Sequence, residues 1–483
     1  MNLVCCRCWH AEFYATFRVL MLAGHVLLSM SLDNGLASTP PLGYNTWNDL
    51  QCAGLNEDHV RDAAKQLHAL GFQAAGYSYI NIDDCWMKEA RNSQGEMEAQ
   101  PSFKSGMSGV GRFIHDLGFK FGLYTSRGTH SCAGHAGSLD HEHQDAKTFA
   151  SWEIDFLKND GCFDSECFYG PTPSSMKCFA ENRANVLNKY RKMRDALNAT
   201  GRPIMYEVCG WEPWYAAVGS ELSNMFRISA DVKTWQDIYE VTNLLHGLGN
   251  FSRPGGWVHP DMLIGSSSGS AFILTPFQSR AQFTLWSIFP APLMLGLNIR
   301  KASDWDIATY TNPEVIAVNQ DKLHEHAKRI FSNCAYYPDI LLSNDGYSNF
   351  SVRHEEHNAW APWNGGQPFT ILAAKEDPKL QCQQVWARLL ENGDVALAAV
   401  NFGQGEAEVE VSQQDLPFRD ISAGTSPRQL AVRDLWMRAN MPDTATAHIK
   451  LSLPPSGGCV MLRLSKKTTY AKIVEPASFL SKK

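Results

Sequence analysis

Long uninterrupted apolar stretches are nearly absent from this chain of 483 residues. The one candidate, Val19 to Leu32, is about 14 residues, short of the ~20 that a membrane-spanning helix needs. Every other hydrophobic run is broken by charge, proline or glycine. A dense Lys/Arg block is missing too: 43 basic against 50 acidic residues leave a formal charge of −7. That balance excludes a nucleic-acid or anionic-membrane surface as the main business of the chain. No paired Cys-x-x-Cys motif with zinc spacing occurs. His141-Glu142-His143 and His354-Glu355-Glu356-His357 miss the spacing that sets two ligands on one helix face, so no metal is expected. No Gly-x-Gly-x-x-Gly follows the first strand-like run, which removes the main support for a dinucleotide cofactor.

What is present begins with a leader. Arg7 and Arg18 precede the apolar run, and Gly35-Leu36-Ala37 offers a small-x-small cleavage site, so residues 1–37 read as a secretory signal. A leader retained as an anchor is the other reading. The sequons at Asn198, Asn250 and Asn349 agree with export, to a secreted or a lysosomal/vacuolar destination. Of 13 cysteines, three lie in the leader; in an oxidising compartment several of the other ten pair, by a connectivity that spacing does not fix. Aromatic residues are plentiful, with 14 Trp, which suits either a large core or stacking on a flat apolar ligand face.

From about residue 41 to 300, short β-like runs alternate with helical stretches. The runs are Gly43 to Trp47, Tyr77 to Asp84, Lys120 to Thr125, Asp155 to Asp160, Pro203 to Gly210, Met225 to Asp231 and Trp257 to Leu263, with Gln282 to Leu297 supplying the last helix and strand. Seven or eight βα units over that length predict a (β/α)8 TIM barrel rather than an open sheet. After about 320 the texture changes. Val385 to Phe402 reads as a hairpin turning at Asn392-Gly393-Asp394, and Glu406 to Val411 alternates with period two, so a C-terminal antiparallel β-sandwich is expected. The resulting division is a leader (1–37), a barrel (38–321), a β-domain (322–466) with a segment near 323–380 of no clear period, and a tail (467–483).

The stretch FLKNDGC, Phe156 to Cys162, ends an apolar run on a lysine and an aspartate. Asn-Asp-Gly is ordinary turn chemistry. In a parallel barrel, however, chemistry sits where strands end. The ends here carry Trp47, Asp83 with Asp84, Tyr124, Lys158 with Asp160, Cys209, Arg227 with Asp231, and Asp261. That collection predicts a polar pocket in which neighbouring carboxylates drive their pKa values apart.

These residues resemble glycoside hydrolase family 27, the α-galactosidases and α-N-acetylgalactosaminidases. The resemblance rests on Ile82-Asp83-Asp84-Cys85-Trp86, Phe156 to Cys162, Arg227 to Asp231, Pro254-Gly-Gly-Trp257 with Pro260-Asp261-Met262, the loop Gly134 to Asp145, and Ala317 to Asp321. It implies a retaining mechanism with Asp160 as nucleophile and Asp231 as general acid/base. It further implies that Asp83, Asp84, Lys158 and Arg227 grip sugar hydroxyls and that Trp47 forms an apolar wall. Tyr124, Cys209, Gly210, Trp211 and Asp261 complete the expected substrate site. The disulfides it suggests are Cys52–Cys85 and Cys132–Cys162. A Cys167–Cys178 pair is expected from proximity in a loop, and Cys209 is expected free because Ser223 stands where some members carry its partner. The implied partner is a galactose-containing oligosaccharide or glycoconjugate, with a homodimer an open option.

Two departures leave the sugar open. The residue facing the sugar's second carbon is Gly210, whose small size would admit a 2-acetamido group unless Trp211 or Glu212 fills the space. The family's Asn-Asp after Gly-Gly-Trp is Val258-His259, where His259 is either a plain loop residue or a leaving-group contact. Beside α-galactosidase stand an α-N-acetylgalactosaminidase, an isomaltodextranase, a β-L-arabinopyranosidase, an inactive sugar-binding relative and a metal-dependent barrel hydrolase.

Overall fold

The computed structural model describes residues 32, 34–164, 183–334, 340–342, 350–354, 359–362, 380–419 and 428–467. Eight parallel strands form one curled sheet: β1 (Leu42–Asn45), β2 (Tyr79–Asn81), β3 (Lys120–Ser126), β4 (Phe156–Asp160), β5 (Met205–Cys209), β6 (Met225–Arg227), β7 (Trp257–His259) and β8 (Leu293–Leu295). Their order is β7-β6-β5-β4-β3-β2-β1-β8. The ring closes just past β7, where the Leu263 N–H donates to Met294 O and Leu263 O accepts from the Gly296 N–H. Helices follow the strands on the outside: α1 (Trp47–Gly54), α2 (Glu57–Ala69), α3 (Gly106–Asp116), α4 (Glu142–Ser151), α5 (Arg183–Ala199), α6 (Tyr215–Leu222), α7 (Trp235–Leu248), α8 (Pro276–Ile288), α9 (Asp304–Tyr310) and α10 (Pro313–Asn319).

Strand alternation sorts the interior into layers. Tyr79, Phe156, Met205, Met225 and Met294 pack into an apolar plug. Two residues further along each strand come Asn81, Lys158, Glu207 and Arg227, so the next layer is polar where barrel interiors are usually filled by branched apolar side chains. Gly122 is required at this level, since a Cβ there would stand 2.0 Å from Asn81 Oδ1. The alternate positions, such as Leu157 and Val208, join the main core towards the helices.

The C-terminal part holds a six-stranded antiparallel sheet, order β17-β16-β19-β14-β13-β9. Its strands are β9 (Lys328–Ser332), β13 (Gln383–Leu389), β14 (Val395–Asn401), β16 (Leu430–Asp434), β17 (Ala439–Thr444) and β19 (Cys459–Lys466). Val385, Leu397 and Ala399 face Val409, Val411, Ile449 and Leu451 of the paired strands β15 (Ala407–Ser412) and β18 (His448–Leu453). The other face, with Trp386, Ala398 and Val400, joins the barrel's core, Trp386 meeting Phe289 at 4.6 Å. Burial on both faces explains why β14 is a continuous apolar run while β15 alternates. The segment without sequence period contributes β9 and a three-stranded antiparallel sheet of β10 (Ile340–Leu342), β11 (Phe350–His354) and β12 (Ala359–Pro362). Residues 1–31 and 33 of the leader, Asn349 and the Cys167–Cys178 pairing lie outside the described residues. Among the described residues, no helix is long and apolar enough to cross a membrane.

Candidate active site

Three expectations are corrected by the local structure. Trp47 opens α1 instead of ending β1, its N–H donating to Asn45 Oδ1 at 2.8 Å. Asp231 lies in the loop after β6, which ends at Arg227. That loop is anchored by the capping box of α7, where Thr234 and Asp237 satisfy each other's backbone N–H groups and Lys233 N–H also donates to Asp237. His259 is neither a loop residue nor a leaving-group contact. It is the last residue of β7, buried, with Nδ1 3.0 Å from Glu207 Oε1.

A pocket of about 250 Å³ opens at the strand ends, lined among others by Trp47, Asp83, Asp84, Tyr124, Lys158, Asp160, Trp211 and Asp231. That is below the roughly 300–1,000 Å³ of sites for drug-sized ligands and suits a single sugar ring. Asp160 sits at its buried end. Its Oδ1 accepts from the Gly161 N–H at 2.8 Å and its Oδ2 from the Tyr124 hydroxyl at 3.0 Å. Burial pushes the Asp160 carboxyl up to about 6, against the opposing pull of Lys158 and Gly161. Lys158 donates to Asp83 Oδ2 at 2.8 Å, the same oxygen that accepts from Asn45 Nδ2 at 2.7 Å. Burial acts to lower the Lys158 pKa, but Asp83 and the neighbouring acids hold it well above its ordinary value. Asp84 accepts from the backbone N–H groups of Cys85 and Ala133, and burial raises its pKa.

Asp231 stands at the mouth, its side chain 41% exposed. Its Oδ1 accepts from Arg227 Nη2 at 3.1 Å, and Lys233 Nζ lies 4.0 Å from its Oδ2. Partial burial pushes its pKa up, but Arg227, Lys158 and Lys233 outweigh that and hold it below the usual carboxylate value. Arg227 is fully buried, and its Nη1 pairs with Asp261 Oδ1 at 2.8 Å. Asp261 Oδ2 accepts from the Val232 N–H at 2.7 Å. Asp261, with φ +89°, therefore holds Arg227 and the Asp231 loop from the layer beneath the pocket.

Cys209 is free and buried 3.8 Å from Arg227 Nη1, while Ser223 donates to the carbonyls of Gly219 and Met225. Gly210 does not open the site. A Cβ there would meet the Tyr215 ring at 2.0 Å, so that ring already occupies the space. Trp211, with φ +63°, does reach the pocket. Cys52–Cys85 and Cys132–Cys162 are disulfide-bonded, and Cys334–Cys382 is a third pair among the described residues that spacing did not reveal. Cys132 and Cys162 line the pocket, Cys132 Sγ 3.4 Å from Asp160 Oδ2. Among the described residues, two groups have metal-like spacing, Asp84 with Cys85 and His135, and Asp160 with Cys132 and Cys162. Their cysteine sulfurs are tied up in disulfides and are not thiolate ligands.

One carboxylate at the buried end of a sugar-sized pocket and a second at its mouth is an arrangement that suits a glycosidase, and comparison with known proteins agrees. The family model described as Alpha galactosidase A matches residues 39–170 and 174–321, and that of the Alpha galactosidase C-terminal beta sandwich domain matches 381–464. The chain belongs to the alpha-galactosidase family. It is 36% identical over 444 residues to alpha-galactosidase 3 of Arabidopsis thaliana, covering 91% of this chain and 84% of that one. A probable alpha-galactosidase of Dictyostelium discoideum is 31% identical over 440 residues, covering 90% and 94%. Among solved structures, alpha-galactosidase I of Mortierella vinacea superposes with a TM-score of 0.71 at 29% identity, covering 90% of this chain and 99% of that one. A GH27 β-L-arabinopyranosidase of Geobacillus stearothermophilus, at 20% identity and TM-score 0.67, shares the fold.

Within this alpha-galactosidase fold, ten of the twelve expected catalytic and substrate residues lie around the pocket or its floor, nine of them from the strand-end reading and Trp211 from the family resemblance, with Gly210 sealed off by Tyr215 and Cys209 behind Arg227. The strand-end reading missed Lys233, Met262 and the Cys132–Cys162 bridge as lining, and the Glu207–His259 pair below. Lys233 was within reach of the same logic, two residues past Asp231. The Glu207–His259 pair was not, because the partners are 52 residues apart and only the β5 and β7 registers bring them together.

Proposed function

We propose that the protein hydrolyses terminal α-galactosyl residues from oligosaccharides or glycoconjugates with retention of configuration. The observation that carries this is the placement of Asp160 and Asp231 on one sugar-sized pocket, one at the buried end and the other at the mouth. Asp160 attacks the anomeric carbon while Asp231 protonates the departing glycosidic oxygen. Asp231 then takes a proton from water, which attacks the glycosyl ester and frees Asp160. Asp83, Asp84 and Lys158 bind the ring hydroxyls, Trp47 and Trp211 supply apolar walls, and Tyr124 orients the nucleophile. The buried carboxylates suit a sugar that offers each of them a hydroxyl, and they penalise one that leaves a charged acceptor unpaired.

Before sugar binds, the proton of the carboxylate pair favours Asp160, the more buried member, while catalysis needs it on Asp231. Bound sugar expels water from around Asp231, and that desolvation moves the proton towards Asp231.

The division at residues 37, 321 and 466, entry into the secretory pathway and passage to a secreted or lysosomal/vacuolar site belong to the same reading. The three disulfides and the exposed Asn198 and Asn250 support it. The deciding experiment pairs nitrophenyl α-galactoside with nitrophenyl α-N-acetylgalactosaminide, using wild type and Asp160→Asn. Galactoside turnover that disappears in the variant is expected. Preference for the acetamido sugar would reassign the substrate, and no turnover of either by folded protein would remove the hydrolytic reading.

A further inference from the structure

The two oxygens of Asp231 face different cations. Oδ1 accepts from the buried Arg227 at 3.1 Å, from the layer beneath the pocket. Oδ2 faces outward to Lys233, 4.0 Å away, whose side chain is 49% exposed. An acid that protonates a glycosidic oxygen must use the oxygen not already bound, which here is Oδ2. The leaving group therefore departs on the side where Lys233 stands. The Lys233 ammonium also lies 5.6 Å from the centroid of the Phe272 ring, within cation–π range, so the amine is steered over an aromatic face rather than free in solvent. Lys233 lines the pocket together with Ala230 and Trp211.

Building on the hydrolytic reading above, we propose that Lys233 is the specificity-determining residue of an aglycone subsite. Its ammonium donates to acceptor oxygens of the leaving group, so the enzyme favours galactosides whose aglycone is a second sugar or another oxygen-rich group over simple alkyl galactosides. Phe272 limits where the amine can swing. A hydrogen bond from a charged donor is among the stronger polar contacts available in a half-exposed site, and here it acts on atoms beyond the galactose.

The test compares Lys233→Met and Lys233→Arg with wild type on melibiose and on methyl α-galactoside, whose alkoxide leaving group needs the same protonation but carries no further acceptor oxygens. Because Lys233 also holds the Asp231 carboxyl down, kcat/KM is read across the pH profile, and any change in acid function is common to both substrates. Beyond that shared change, melibiose is expected to lose about tenfold in kcat/KM relative to methyl α-galactoside in Lys233→Met, and to recover in Lys233→Arg. An anionic aglycone, such as a galactosyl uronate, is expected to lose more than melibiose. Equal losses on melibiose and the methyl galactoside, or none on melibiose, would overturn the assignment while leaving galactoside hydrolysis intact. Failure of wild type to cleave either substrate would instead strike the hydrolytic reading. Because the side chain is half-exposed and the Lys233 contact to Asp237 is made by its backbone N–H, both variants are expected to fold.

Discussion

The Tyr124 hydroxyl and the Gly161 N–H hold opposite oxygens of Asp160, at 3.0 and 2.8 Å, so the carboxylate is fixed in the pocket before any sugar arrives. Asparagine can keep both contacts, its carbonyl facing Gly161 and its amide facing the phenol oxygen. Asp160→Asn is therefore expected to fold, yet to lose kcat by a factor on the order of 10⁴, measured on nitrophenyl α-galactoside.

The same variant is expected to be the more stable protein at pH 7. Burial lifts the Asp160 carboxyl from 3.8 to about 6, so the folded state prefers it protonated. Such a group supports the fold at low pH, and that support is lost as pH rises through about 6. At pH 7 the ionised carboxylate opposes folding by roughly 3 kcal/mol, which asparagine relieves. Thermal melts of both proteins at pH 4.5 and pH 7 check this: the gap should be widest at the higher pH and narrow at the lower, which still lies above the unfolded value of 3.8.

The pH profile of kcat/KM should be a bell on the acid side of neutrality. The pair must carry one proton to be competent. That proton is lost as pH rises through about 6, and a second is gained only below the usual carboxylate range because Arg227 holds Asp231 down. A profile flat from pH 6 to 8 would contradict this assignment of the proton.

At Gly210, an added methyl would run into the Tyr215 ring at 2.0 to 2.2 Å, and that ring is stacked on Trp214 at 4.0 Å with little room to retreat. Gly210→Ala should cost about 1–3 kcal/mol in chemical denaturation. Wild type should prefer galactoside to the acetamido sugar, since the missing side chain leaves no space beside the second carbon.

Beneath the site, Glu207 and His259 form a buried pair at 3.0 Å. Replacing one partner, in Glu207→Leu or His259→Leu, should cost roughly 3–5 kcal/mol because the other is left buried and unmatched. The double variant should be closer to wild type than the sum of the two. Strict additivity in urea melts would show that the pair is not an interacting unit.

By itself the sequence determined the order of elements, the parallel character of the first 300 residues and most of the polar strand ends. Those are local quantities: a period of two or 3.6, a turn, and a charge where an apolar run stops. Phe156, Lys158 and Asp160 share a parity, so once the strand is recognised all three face the same way. Tertiary structure alone decided the rest, because it depends on which strand lies beside which. Lys158 next to Glu207, His259 reaching Glu207, and Asp261 gripping Arg227 are pairings between residues on different strands or loops, set by barrel register, and Tyr215 seals the space beside Gly210 only because α6 turns its ring back over the strand end. A short-range pattern can say that a side chain is polar and inward. Only closure of the ring says what it meets.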